Sequence, residues 1–179
     1  MQFFRHCSAA LFCAALGAQP VAQSTAASPA EGGAQFLVFV AGRQVGQEQA
    51  NVARAAGGWI ISSTGQLTVP AKATTNRFEV KYDSDWQPQE LRIQTMSGGK
   101  ALSLSTSFGM TTAVNEITQG GTTNSKTDQI SARTIVLPNN FFAGYEALAA
   151  RLVSAVPGTE LPLYIAPQTE IKAVVKVVS

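Results

Sequence analysis

The stretch at residues 77–83, RFEVKYD, decides the fold because apolar and charged side chains alternate along it. Phe78, Val80 and Tyr82 share one face of an extended chain, whereas the residues between them are charged. Successive side chains of a β-strand point to opposite faces, so this period of two predicts a strand with one buried and one wet face. Strands of this kind are typical of antiparallel sheets.

The same alternation continues along the chain. Leu91 and Ile93 alternate with polar residues, and residues 101–108 (ALSLSTSF) place leucines on a single face. The pattern also predicts strands at residues 36–40, 111–119 and 129–137, at residues 59–69 with a break near Gly65, and at residues 161–165 and 171–177. Short glycine-containing turns separate the strands, which predicts hairpins rather than crossovers through helices. The expected turns are residues 42–46, 56–58, 97–100 and 120–125.

One helix is predicted at about residues 139–156. Pro138 stops the preceding strand, an asparagine follows as N-cap, and Pro157 and Gly158 end the helix. The apolar residues at helical spacing predict a single stripe that packs on the sheet: Phe141, Tyr145, Leu148, Leu152 and Val156. The predicted fold is therefore mainly β (α+β), a curved antiparallel meander sheet or half-barrel with one C-terminal-region helix on its concave face.

The N-terminus has the anatomy of an export signal. Arg5 precedes an apolar run at residues 7–16, and small residues follow. We expect residues 1–26 to be a secretory signal peptide, because this run is too short to span a bilayer. Residues 27–34 are then a flexible linker and residues 35–179 a single antiparallel β domain. The expected location is the periplasm or the medium, with no membrane-spanning segment after signal removal.

Composition narrows the classes of partner. The chain has 179 residues, of which 45% are apolar and only 13% are charged, against about 25% in an average globular domain. The formal net charge is only +2. A nucleic-acid partner is not expected from so even a balance.

Loss of the signal would also remove the residues used most often in catalysis. The single histidine, His6, and both cysteines, Cys7 and Cys13, lie inside residues 1–26. The mature chain would then lack the nitrogen and sulfur ligands that zinc and copper prefer, and it would lack the base of Ser-His and Cys-His catalysis. We therefore expect no catalytic residue, no metal site and no cofactor.

Two local motifs have simpler structural explanations. Residues 97–100 (SGGK) match the S-x-x-K spacing of penicillin-binding enzymes, but no partner motif occurs and a glycine pair between strands predicts a hairpin turn. Residues 83–85 (DSD) lack the further oxygen donors of a calcium loop, which favours a solvated turn.

Apolar and aromatic residues leave two interpretations open. They are either core and helix-docking residues, or they rim an apolar groove between helix and sheet. The candidate ligand-binding residues of that groove are Phe78, Val80, Tyr82, Trp86, Leu91, Leu102, Phe141, Phe142, Tyr145 and Leu148.

Three stretches resemble a known kind of domain. Residues 77–91 (RFEVKYDSDWQPQEL), 136–152 (VLPNNFFAGYEALAARL) and 161–168 (LPLYIAPQ) look like the β-rich N-terminal domain that precedes the catalytic part of some bacterial secreted α/β-hydrolase-like proteins. More distantly, the expected architecture is similar to the half-barrel envelope proteins of the LolA/LolB kind, which hold lipoprotein acyl chains. Neither resemblance places a functional residue on this chain.

Two functions follow as hypotheses. The first is a non-catalytic exported domain that binds a lipid or another apolar small molecule, or docks a partner protein, in the groove between sheet and helix. The second is an accessory N-terminal domain of a secreted serine hydrolase, with a catalytic partner domain that this chain lacks.

Overall fold

The computed structural model of the protein describes residues 31–69 and 72–176. The expected signal peptide at residues 1–26 and the first residues of the expected linker lie outside this part. The first strand begins at Gly32, so residues 32–34, expected to be linker, belong to the sheet instead. Gly32 lies opposite Val52 of the next strand, so the pairing of the first strand includes its first residue.

Eight strands form one antiparallel meander. Each strand pairs with its neighbours in sequence, in the order β1 to β8. This arrangement confirms the predicted mainly β, antiparallel fold class. The strands are β1 (Gly32–Val40), β2 (Arg43–Ala55), β3 (Gly58–Leu67), β4 (Ala73–Asp83), β5 (Pro88–Ser97), β6 (Lys100–Phe108), β7 (Thr112–Gln119) and β8 (Thr122–Gln129).

A small second sheet and one helix follow. The sheet has the order β11-β10-β9, in which β9 (Ile135–Val136) runs parallel to β10 (Glu160–Ile165) and β10 pairs antiparallel with β11 (Thr169–Val174). The helix α1 (Tyr145–Val153) lies between β9 and β10 in the chain. The sequence predicted a long strand at residues 129–137. Gln129 instead ends β8, and only Ile135 and Val136 form β9, because residues 130–134 lead from the large sheet to the small one.

The predicted turn at residues 97–100 is confirmed, whereas the turn expected at residues 120–125 is shorter, because Thr122 already begins β8. Gly98 and Gly99 have φ values of 55° and 76° between β5 and β6, which are the positive angles that a two-residue hairpin turn requires. The SGGK motif is therefore a hairpin turn. The predicted break near Gly65 is a β-bulge, since the β3–β4 register shifts between Ser63 and Gly65.

One face of the large sheet, here called the inner face, forms the core with the small sheet and the helix. Phe78, Val80 and Leu91 are completely buried in it. At one end of this face the rings of Trp59 and Trp86 stack at 6.2 Å. The core is continuous across the layers, as it also includes alanines of α1 and Tyr164 of β10.

The helix differs from its prediction in length and in the face it buries. It covers Tyr145–Val153 rather than residues 139–156, and its N-cap is Gly144, which makes no side-chain cap. Tyr145 and Leu152 of the predicted stripe are 49% and 43% exposed. The small residues Ala143, Ala147 and Ala150 face the core instead, because their side chains let the helix approach a core already filled by large rings.

Candidate functional site

The structure separates the ten candidate residues into three groups. Five belong to the packed core and are at most 6% exposed: Phe78, Val80, Tyr82, Trp86 and Leu91. Four are partly buried, in β6, in the segment before the helix and in the helix itself: Leu102, Phe141, Phe142 and Leu148. Tyr145 points to solvent, which places it on the opposite side of the helix from the core.

An apolar pocket lies at the end of the inner face. It has a volume of about 230 Å³ and is bounded by the ends of β3 to β6 and by the segment that precedes α1. Two candidate residues, Leu102 and Phe141, line it. The other lining residues are Leu67, Val69, Ala73, Thr75, Thr95, Ser97, Asn139 and Asn140. The hollow expected under the helix is thus displaced towards this end of the sheet.

One wall of the pocket is the segment at residues 137–144, here called the strap. The strap connects β9 to α1 and contains Asn139, Asn140 and Phe141 of the pocket lining. Gly144 permits its close approach, because a Cβ there would lie 2.8 Å from the carbonyl oxygen of Val136. The strap therefore follows the surface of β9 before the helix begins.

A buried carboxylate fastens the strap to the large sheet. Glu48 of β2 is only 5% exposed. Its Oε2 accepts a hydrogen bond from the backbone N–H of Phe142 at 2.7 Å, and its Oε1 accepts one from the N–H of Ala143 at 3.0 Å. The hydroxyl of Ser63 donates to the same Oε1 at 2.6 Å. These N–H groups lie just before the helix, where backbone donors lack partners within the helix.

Ring contacts complete the attachment of the strap. Phe141 stacks on Phe78 with ring centroids 5.5 Å apart, and Phe142 meets Phe36 of β1 at 6.4 Å. Phe141 therefore links the completely buried core to the partly open pocket. Displacement of this ring would enlarge the pocket.

Tyr82 of β4 binds Val136, the residue that directly precedes the strap. Its hydroxyl accepts a hydrogen bond from the backbone N–H of Val136 at 2.9 Å. Burial raises the pKa of the Tyr82 hydroxyl well above its ordinary value, so the group is neutral at physiological pH. Tyr82 thus attaches β9, and the strap that follows it, to β4.

A second polar cluster joins the large and small sheets. The hydroxyl of Tyr164 donates to Asp128 Oδ2 at 2.7 Å, and the side-chain amide of Asn115 donates to the Tyr164 oxygen at 2.9 Å. Burial alone would raise the pKa of the Asp128 carboxyl, but hydrogen bonds from Lys126 and Tyr164 outweigh it and lower that pKa. Every polar group in the cluster has a partner, which is the signature of a structural network.

The outer face of the sheet carries a ladder of ion pairs. The ammonium of Lys81 binds Glu90 at 2.9 Å and also lies 3.6 Å from Glu79. The hydrogen bond from Lys81 is the main reason that the pKa of the Glu90 carboxyl lies below its ordinary value. These acids are therefore paired with cations on the outer face of the sheet.

Other kinds of site are not found in this part of the chain. Within residues 31–69 and 72–176, no three His, Cys, Asp or Glu residues are grouped so that they could hold a metal ion. The residues at 83–85 form a turn in which Asp83 Oδ1 accepts the backbone N–H groups of Asp85 and Gln87. No helix in the same described ranges combines the length and apolar character needed to cross a membrane.

Comparison with protein-family models, with curated protein sequences and with solved structures gives no match. The two resemblances described above therefore stay predictions, and the interpretation of the site rests on the residues of this chain.

Sequence reasoning missed Glu48, which organises one side of the site. A signal for it exists, because Glu48 is in phase with Ala50 and Val52 on the inner face of β2. An acid at an inward position of an alternating strand needs a partner in the core. The sequence could not supply that partner, since the N–H of Phe142 is 94 residues away.

Proposed function

We propose that the protein is a non-catalytic binding domain that receives an apolar chain in the pocket between the sheet and the strap. The single observation that supports this function is the pocket itself, an opening of about 230 Å³ that contains the apolar residues Leu67, Leu102 and Phe141. An opening of this composition favours a ligand without charge.

The size of the pocket narrows the ligand class. Sites for drug-sized ligands enclose roughly 300–1,000 Å³, so this pocket fits only part of such a molecule. Its rim consists of hydroxyl and amide side chains, Thr75, Thr95, Ser97, Asn139 and Asn140. We infer that it takes the end of an acyl chain or a compact apolar molecule, with a neutral polar portion at the rim.

The proposal includes export. The signal-like anatomy of residues 1–26 supports delivery to the periplasm or the medium, where apolar chains need a protein host in water. N-terminal sequencing of the native protein tests this step. A start after residue 18, 22 or 26 is expected, and a start at Met1 would contradict it.

Titration with N-phenyl-1-naphthylamine, a neutral apolar dye, tests the pocket. Leu102→Asn places an amide in the lining, and we expect it to weaken dye binding on the order of tenfold, since burying part of a leucine side chain against the ligand contributes ~1.5 kcal/mol. Leu37→Asn is the matched control, because Leu37 is 49% exposed on β1 and outside the lining. Equal binding by the wild type and both variants would refute the assignment of the pocket.

Native mass spectrometry of the protein purified from its host identifies the ligand class. A co-purifying lipid or small apolar molecule is the expected result. Absence of any bound mass, together with absence of dye binding, would refute the proposed function.

A second candidate function, docking on a partner such as a separate hydrolase domain, is favoured by a different observation. Tyr145, Leu152 and Val156 form a stripe along the solvent side of α1 and the turn after it, and they are 43–66% exposed. Such exposed apolar patches often mark protein interfaces. A stoichiometric hydrolase in the native mass spectrum, lost with Leu152→Asp, would support docking, and retention in that variant would contradict it.

A further inference from the structure

We infer that Glu48 is the latch of the apolar pocket: its carboxylate holds the strap against the large sheet, and release of the strap from Glu48 widens the pocket so that a ligand enters faster. The inference rests on the proposed function, because it concerns the same pocket, and it assigns to Glu48 the control of access.

The Glu48 carboxylate binds the strap with both of its oxygens. Both of its oxygens accept hydrogen bonds from consecutive strap N–H groups, of Phe142 and Ala143. In the part of the chain that the structure describes, no cation lies within ion-pair distance of Glu48. The charge is therefore stabilised by the strap backbone and by the Ser63 hydroxyl, so loss of the strap would leave a poorly solvated carboxylate.

These two bonds are also the polar attachment of the strap to the large sheet. Among the described residues, the other hydrogen bonds that leave the strap run to the small sheet or its turn, from Leu137 to Tyr164 and from Asn139 to Gln168, or to the first residues of α1. Phe141 directly precedes the two bonded N–H groups and stacks on Phe78. Release of Glu48 would therefore free the wall formed by Phe141 and open the pocket towards the core.

One residue of the strap, Asn140, has a strained backbone conformation that neighbouring contacts must maintain. Asn140 has a φ of 68°, in the left-handed region that costs a non-glycine residue roughly 1 kcal/mol. Asparagine tolerates this conformation better than most residues, but the neighbouring contacts must maintain it. The bonds to Glu48 begin only two residues later, at Phe142.

Glu48→Gln is the variant that tests the latch, with Glu116→Gln as the matched control. Glutamine keeps the shape of Glu48 but replaces one acceptor oxygen with an NH₂ donor, which would face a strap N–H. Glu116 is an exposed acid on β7 and loses the same charge. We expect amide hydrogen exchange at Phe142 to accelerate roughly 10- to 100-fold in Glu48→Gln, since hydrogen bonds to charged groups are worth about 1.5–3 kcal/mol. The control should change by less than about twofold.

Stopped-flow mixing with N-phenyl-1-naphthylamine measures access to the pocket. In Glu48→Gln the association rate constant should rise on the order of tenfold, in parallel with the exchange rate. An exchange rate at Phe142 that does not change, or an association rate that stays at the wild-type value, would overturn the latch. A wild-type protein that binds no dye would instead contradict the proposed function, so the two failures are distinguishable.

Ser63→Ala gives a milder perturbation if Glu48→Gln fails to fold. It removes one of the hydrogen bonds to Oε1 and leaves the two strap bonds in place. We expect an intermediate acceleration of exchange at Phe142 and Ala143 and a proportionate rise in dye association. Circular dichroism checks that the strand signal is retained, and a folded Ser63→Ala protein with wild-type exchange and wild-type uptake would overturn the inference.

Discussion

Replacement of Tyr82 by phenylalanine tests whether one hydrogen bond attaches β9 and the strap to the large sheet. The Tyr82 hydroxyl accepts the N–H of Val136 at 2.9 Å, and Val136 is completely buried. Tyr82→Phe removes this acceptor and keeps the ring, so no large cavity forms. The N–H of Val136 is then left without a partner, which costs about 1–3 kcal/mol of the free energy of unfolding.

Urea unfolding followed by circular dichroism measures this loss. With a slope of about 2 kcal/mol per molar urea, the midpoint should fall by roughly 0.5–1.5 M. Tyr145→Phe deletes the same atom from a side chain that is 49% exposed, and its effect should stay within about 0.5 kcal/mol. Equal midpoints for the two variants would refute the reasoning, because the buried and the exposed hydroxyl would then contribute equally.

Three further predictions concern pH and backbone packing. The folded-state pKa of Tyr82 is raised, so its contribution to the free energy of unfolding is complete below the ordinary tyrosine pKa near 10. As pH rises above that value, this contribution falls by about 1.4 kcal/mol per pH unit. Urea titrations at pH 9–11 should show this slope, and Tyr82→Phe should lack that contribution. Gly58→Ala should destabilise by roughly 1–3 kcal/mol, because its Cβ would clash with the carbonyl oxygen of Tyr82. Gly33→Ala, where the nearest atom is a flexible side chain at 3.4 Å, should be close to neutral, and urea unfolding of the two variants measures the difference. The folded-state pKa of Asp128 is lowered, so its contribution to the free energy of unfolding is present above pH 4 and is lost as pH falls further. In Asp128→Asn the free energy of unfolding should therefore depend less on pH below pH 4. An unchanged pH dependence would contradict the network.

Strand pairing was accessible from the sequence because it depends on local patterns. Alternation in residues 77–83 gave β4 and its inner face, and the glycine pair at Gly98 and Gly99 gave the hairpin between β5 and β6. In a meander each strand pairs with its sequence neighbours, so correct strands and turns already specify the order of the large sheet. The structure confirms the antiparallel fold class and these two features, whereas β2 (Arg43–Ala55) and β8 (Thr122–Gln129) were not predicted as strands.

The helix shows where local patterns stop being sufficient. Residues 141–156 offer two apolar faces, one of large residues that includes Tyr145 and Leu152 and one of alanines that includes Ala147 and Ala150. Periodicity favours the larger side chains, yet the alanines are buried. Which face is buried depends on the space that the aromatic rings of the sheet leave free. The sequence of the helix contains no information about that space.

The sequence by itself determined that this chain forms an antiparallel β meander with one late helix, because the side-chain period and the turn glycines are properties of neighbouring residues. Tertiary structure alone decided which candidate residues are core, where the apolar pocket opens, and which backbone N–H groups Glu48 binds. The physical reason is distance along the chain. Glu48 and Phe142 are 94 residues apart, and only the assembled sheet brings a buried carboxylate to the backbone donors that satisfy it.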